Sequence, residues 1–247
     1  FAGIPAPSVI ESKAKIIYQV AESLKLKFDT ASIRDIAAEI EWRKFSMLSL
    51  DDYEQLAASR PKVAGLSAEV LVQLQRGYEE AKIASNRLDW EDVLILTLGM
   101  LRAEPRALAH VQQQYRFFTV DEYQDINPAQ QRLIQLMTGA DTELCVVGDD
   151  DQAIYQWRGS TVESIVNFTT QYPNAKTFRL ETNRRSLPVI VDSAAKFAES
   201  IPNRLKKTMN ADRVPPPDFT QPQIVAWDAL MEVDEAKIIA GMVVDLV

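Results

Sequence analysis

The sequence predicts a mixed α/β chain: an all-helical module over residues 1–113, followed by a part in which short β-strands alternate with helices. Two observations lead there. Residues 1–113 carry apolar positions at helical spacing and no strand-like alternation. Beyond them, β-rich runs at 117–120, 144–147 and 177–180 are separated by helical stretches, and strand, helix, strand at this spacing is a βαβ unit with parallel strands.

Taken in order, Ser8 and Glu11 have capping-box spacing and predict the start of the first helix. Ile16, Ile17, Val20, Ala21 and Leu24 then recur on one helical face, as do Ile33, Ile36, Ala37 and Ile40, and later Val70, Leu71, Leu74 and Tyr78. Pro61 and Gly65 punctuate a connection. An apolar helix over 93–101 follows the acidic cluster Asp89, Glu91 and Asp92. After the strand at 117–120, Asn127 then Pro128 reads as an N-cap with proline in the first turn, and Gly139 stops that helix. Helices are expected over 162–172 and 188–197, Pro215, Pro216 and Pro217 as a stiff linker, and a last helix over 233–247.

The composition is that of a globular chain, 47% apolar and 25% charged over 247 residues. The apolar run 93–101 is too short to span a membrane, and no basic-then-apolar leader is present. A single cysteine, Cys145, excludes an internal disulfide and predicts a reducing, cytoplasmic setting. With one cysteine and one histidine, His110, neither a Cys/His metal site nor a Ser/His/Asp triad is expected. A first residue of Phe rather than Met predicts a piece of something longer. Net charge is −8, which argues against a uniform nucleic-acid coat, but Arg184, Arg185, Lys196, Arg204, Lys206, Lys207 and Arg213 gather bases in one stretch.

Chemistry-bearing residues cluster where strands end. Ligands gather at the C-terminal edge of an open parallel sheet, and an acid there holds Mg²⁺ in nucleoside-triphosphate hydrolases. Asp121 fits that role, and Glu122 beside it fits the proton acceptor for an attacking water. The second strand runs into Gly148-Asp149-Asp150-Asp151-Gln152, then Tyr155, Trp157 and Arg158. On an extended backbone Tyr155 and Trp157 would share one side, and two aromatics beside an arginine suit stacking of single-stranded bases. Burial in the core is the commoner fate of aromatics and stands as the alternative. The third strand leads to Arg184-Arg185, which suit either phosphate contact or a plain charge pair at a helix start.

Together, Val120-Asp121-Glu122-Tyr123-Gln124-Asp125, the segment from Val147 to Gly159, and Leu180-Glu181-Thr182-Asn183-Arg184-Arg185-Ser186 resemble motifs II, III and IV of the UvrD/Rep/PcrA family of superfamily 1 DNA helicases. Leu88-Asp89-Trp90-Glu91-Asp92-Val93-Leu94 resembles the acidic-apolar segment that precedes motif II. The resemblance implies a partial P-loop NTPase, RecA-like parallel sheet with an all-helical insertion. It divides the chain into a helical insertion (1–113), the C-terminal part of a first RecA-like domain (114–176) and the beginning of a second (177–247). It implies ATP and Mg²⁺ as cofactors, single-stranded DNA and duplex junctions as partners together with repair proteins, and 3′ to 5′ unwinding in DNA repair. By resemblance Asp121 is the magnesium-associated acid and Glu122 the general base. Gln152 senses the γ-phosphate, Tyr155 and Trp157 lie near the single strand, and Arg158 ties that loop to its neighbours. Arg185 is the arginine finger.

Two departures stand out. Arg184 occupies the place of the family's adenine-stacking tyrosine, and a guanidinium also stacks on a base. No G-x-x-x-x-G-K-[ST] loop occurs in the 247 residues, so the chain alone is expected to be inactive toward ATP. The alternative to a helicase piece is a non-enzymatic relative that binds DNA or a protein partner through its helical module.

Overall fold

A computed structural model describes residues 5–215, 224 and 228–244. The chain divides into two compact units, one up to Ala175 and one from Lys176.

The first unit opens with β1 (Ser8–Val9), α1 (Lys13–Ser23), α2 (Thr30–Phe45), α3 (Leu50–Ala57) and α4 (Ala68–Ala84). It continues with β2 (Arg87–Leu88), α5 (Trp90–Ala103), α6 (Pro105–Gln114), β3 (Phe117–Val120), α7 (Pro128–Met137), β4 (Glu143–Val146), α8 (Glu163–Val166) and α9 (Phe168–Gln171). Side-chain caps fix most helix starts, each satisfying an otherwise orphaned N–H. Asp29 accepts the Ser32 N–H at the start of α2, and Ser67 that of Val70 at α4. Reciprocal capping boxes join Ser49 to Asp52, Asp89 to Asp92 and Asn127 to Gln130. The helical periodicity becomes packing: Ile16, Ile17, Val20, Ile33, Ile36, Ile40, Leu74 and Tyr78 form one core between α1, α2 and α4. Tyr53, Leu71 and Val72 form a second core where α3 meets α4.

A charged cluster is buried beside these cores. Asp89, 1% exposed, takes the Lys44 ammonium at 2.6 Å, the Lys82 ammonium at 2.7 Å and the Tyr78 hydroxyl at 3.1 Å. Asp92 contacts both lysines, and Glu79 pairs with Lys82 at 2.7 Å and with Arg43 at 2.6 Å. Burial pushes the Asp89 carboxyl up, but the two lysines outweigh it and hold it well below the usual carboxylate range. The converse holds at Lys82, which its carboxylates keep above the ordinary lysine value against desolvation.

In the second part of this unit β3 pairs parallel with β4, Phe117 to Glu143 through Val120 to Val146, with α7 as the crossover. The second unit holds β5 (Thr182–Asn183), α10 (Pro188–Ala198), β6 (Asn210–Ala211) and α11 (Glu232–Val244), with β5 parallel to β6. The architecture is therefore mixed α/β with small parallel sheets and a large helical portion.

Several local expectations are corrected. Ser8 does not cap a helix: it lies in β1, which pairs parallel with β2, and its N–H bonds the Asn86 carbonyl. The first helix begins four residues later, after Ser12, so the helical module contains a short strand pair. The helix expected over 162–172 is two four-residue pieces, because the backbone at Asn167, with φ −96° and ψ 15°, leaves helical geometry between them. Residues 177–180 form no strand; Phe178 and Leu180 are 82% and 87% exposed, and pairing starts at Thr182. Apolar β-formers without a neighbouring strand have no ladder to join. Of the proline run, Pro216 and Pro217 lie outside the described residues, as does the end of the last helix at 245–247.

Candidate functional site

The ends of β3 and β4 lie side by side. The Val147 N–H bonds the Val120 carbonyl at 2.8 Å, and the Tyr123 N–H bonds the Val147 carbonyl at 2.9 Å. Asp121–Glu122 and Gly148–Asp149 thus emerge together at the C-terminal edge of the sheet. Glu122 sits at φ 50° and ψ 44°, a left-handed conformation that turns the chain sharply. The Asp121 Oδ1 accepts the Glu122 N–H at 2.9 Å, which secures that turn.

Gln124 joins the two strand ends. It is 1% exposed; its Nε2 donates to Glu122 Oε2 at 2.7 Å, and its Oε1 accepts the Asp149 N–H at 2.9 Å. Gly148 makes room for it: a Cβ there would lie 2.6 Å from Gln124 Oε1 and 2.8 Å from Ile165 Cδ1. Nothing in residue spacing marks Gln124 for this role; in the sequence it stands only as one residue of the segment that resembles motif II. Burial and the Glu122 charge together raise the Asp125 carboxyl above its ordinary value, and burial pushes the Tyr123 hydroxyl up to about 12.

Asp149 also organises the loop beyond β4. Its Oδ1 accepts the Asp151 N–H, and its Oδ2 accepts the Gln152 side-chain amide at 2.8 Å. Two short 3-10 turns, Asp150–Gln152 and Gln156–Arg158, carry the chain to Gly159. The backbone at Tyr155–Trp157 is therefore turned, not extended as expected, yet the two rings remain neighbours, 6.4 Å between centroids and tilted by 52°. Trp157 is 58% exposed, so it is not a core residue in this structure. The Arg158 guanidinium carbon lies 5.5 Å from its ring centroid. In the second unit Arg184 Nε lies 3.4 Å from Asp212, and Asn183 accepts the N–H groups of Arg185 and Ser186. Arg213 holds the Arg185 carbonyl at 2.7 Å, and the Arg185 side chain is exposed.

The structure thus links Glu122 to Gln152 through Gln124 and Asp149, with Asp121 next to Glu122 in the chain, and sets Tyr155, Trp157 and Arg158 on the next turn. The donors at the strand edge are carboxylate and amide oxygens, a hard set that suits Mg²⁺. Among the described residues no three His, Cys, Asp or Glu side chains converge on one point. A single carboxylate such as Asp121 fits Mg²⁺ held otherwise by waters and phosphate. No helix among the described residues is long and apolar enough to cross a membrane.

Comparison with known proteins identifies the family. The profile of the UvrD/REP helicase N-terminal domain matches residues 8–173. An ATP-dependent DNA helicase UvrD2 from Mycobacterium tuberculosis is 31% identical over 215 residues, 85% of this chain and 31% of the relative. An ATP-dependent DNA helicase PcrA from Leuconostoc citreum is 33% identical over 245 residues, 97% of this chain and again 31% of the relative. PcrA from Staphylococcus aureus is 32% identical over 187 residues, 74% of this chain. The chain therefore spans about a third of the length of the first two of these relatives. With two thirds of its length matched by the family profile and the acidic strand edge in place, the chain belongs to the UvrD/REP helicase family.

Proposed function

We propose that this chain is the part of an ATP-dependent DNA helicase in which ATP hydrolysis is linked to the grip on single-stranded DNA. The observation that carries the reading is the short path between two chemistries. Gln124 ties Glu122 to Asp149, Asp149 ties Gln152, and Tyr155, Trp157 and Arg158 follow within six residues of Gln152. The kinship with proteins named as ATP-dependent DNA helicases supports it. In this reading Asp121 would hold Mg²⁺, whose charge offsets that of the phosphates. Glu122 Oε2 is engaged by Gln124, which leaves Oε1 to take a proton from the attacking water. Gln152, whose side-chain amide donates to the Asp149 carboxylate, would respond to a terminal phosphate. Arg184 and Arg185 serve as further nucleotide contacts, Arg185 toward the γ-phosphate. Unwinding in the 3′ to 5′ direction and a place in DNA repair belong to the same reading.

Two results test it. The 247-residue chain should show no ATP turnover with or without DNA, because no phosphate-binding loop holds a nucleotide against Glu122. DNA-stimulated hydrolysis that vanishes in Glu122→Gln would refute that expectation. Trp157→Ala should weaken binding of a single-stranded oligonucleotide, with the loss of a base stack worth about 1–3 kcal/mol. Its thermal unfolding should stay close to that of the parent, as for most exposed positions. Unchanged affinity by fluorescence anisotropy would remove the stacking assignment.

A further inference from the structure

The Trp157 loop has a foundation in the helical part of the first unit. Gly159, at φ 90°, lies flush on α2: a Cβ there would stand 3.4 Å from Ser46 Oγ and 3.6 Å from both Phe45 and the Trp42 carbonyl. Gly159 and Ser160 are buried, so the end of the loop is anchored while Trp157 projects. Arg158 stands between anchor and ring. Its guanidinium carbon is 5.5 Å from the Trp157 centroid, and its Nε is 3.6 Å from Glu41 Oε2.

Glu41 is not an ordinary surface acid. Its side chain is 19% exposed, and its other oxygen accepts the Lys13 ammonium at 2.7 Å. Lys13 in turn contacts Glu91, in the first turn of α5, at 3.2 Å. The Glu91 side chain is 4% exposed, so Lys13 is its necessary counter-charge and is not free to leave. Burial pulls Lys13 down, but Glu91 and Glu41 outweigh it and keep the ammonium charged. The row Glu91, Lys13, Glu41 therefore links α5, α1 and α2 and offers Arg158 a counter-charge whose position is fixed from behind. An exposed ion pair adds little stability, so a half-exposed arginine held this way gains orientation more than energy.

We infer that Glu41, backed by Lys13 and Glu91, is a positioning residue that holds Arg158 beside the Trp157 ring and so sets that ring for stacking on single-stranded DNA. This rests on the proposed DNA contact at Trp157. With Arg158 steadied, one flank of the ring is already taken by a cation, and the ring is presented to an incoming base with less rotamer freedom to lose.

The test uses the 247-residue chain with 5-fluorotryptophan at its four tryptophans, the Trp157 resonance being identified by its loss in Trp157→Phe. Without DNA, Glu41→Gln and Arg158→Gln should both shift or broaden the Trp157 signal. With a fluorescent oligothymidine, Glu41→Gln should weaken binding about three- to tenfold, and should cost nothing more in an Arg158→Gln background, since residues acting as one unit are not additive. Glu41→Asp keeps the charge against Lys13 while shortening the reach to Arg158, and gives the same readouts should Glu41→Gln not fold. An unmoved Trp157 signal overturns the inference, as does an equal loss of affinity with and without Arg158. Failure of the underlying reading looks different: Trp157→Ala would then bind the oligothymidine as well as the parent, while the DNA-free signal still reports whether Glu41 positions the ring.

Discussion

Asp89→Asn is expected to lower the unfolding free energy by about 3–5 kcal/mol, because removing one partner of a buried ion cluster leaves charge uncompensated in a dry interior. The cluster sets Arg43, Lys44 and Lys82 against Glu79, Asp89 and Asp92. Asparagine keeps the shape, and it caps helices as well as aspartate does, so α5 should retain its start. The substitution removes the negative charge between two buried ammonium groups. Urea unfolding at pH 7, followed by circular dichroism, measures the loss. The sign of the shift sets the pH dependence. The Asp89 carboxyl is depressed in the folded state, so its contribution is complete above the ordinary carboxylate value of about 4 and fades as pH falls below it toward the folded value. The gap between parent and variant should therefore narrow on acidification from about pH 4 toward pH 2. A loss below about 1 kcal/mol at pH 7 would mean that desolvation offsets the whole Coulombic gain.

The same cluster shows what sequence patterning carries and what it omits. The acidic run at Asp89, Glu91 and Asp92 announces the helix that it starts, because caps act over three residues. Its second task, neutralising Lys44 and Lys82, depends on the packing of α2, α4 and α5, and partners 45 and 7 residues away leave no local signal. The long helices were legible because the period of Ile16, Ile17, Val20 and Ala21 is the period of burial itself. Two-residue strands such as β1 and β2 fall below any alternation signal, and the run at 177–180 had strand composition without a partner. At the site, Asp121 and Glu122 were visible at a strand end, whereas the linking glutamine was not. Gln124 matters only because Gly148 lets the neighbouring strand close upon it, a fact of register rather than of composition.

That register makes Glu122→Gln the sharpest probe of the proposed chemistry. On a form of the protein that carries a phosphate-binding loop, the substitution should lower kcat for ATP by about 10²–10⁴-fold, the range for loss of a general base. The KM for ATP and the affinity for single-stranded DNA should change little, because an interaction made only in the transition state is lost. The geometry makes the variant conservative. Gln124 Nε2 donates to Glu122 Oε2 at 2.7 Å, and the amide oxygen of a glutamine can accept the same bond. Gln124 itself stays pinned by the Asp149 N–H, so the turn at φ 50° and the path toward Gln152 should persist. The group that disappears is the second carboxylate oxygen, the one that Gln124 does not occupy, and with it the acceptor for a proton from water. Steady-state kinetics with an unchanged melting curve would identify the loss as chemical. A loss confined to KM would instead make Glu122 a nucleotide-binding residue. An unaffected kcat would place the proton acceptor elsewhere on the strand edge, with Asp149 as the next carboxylate to replace.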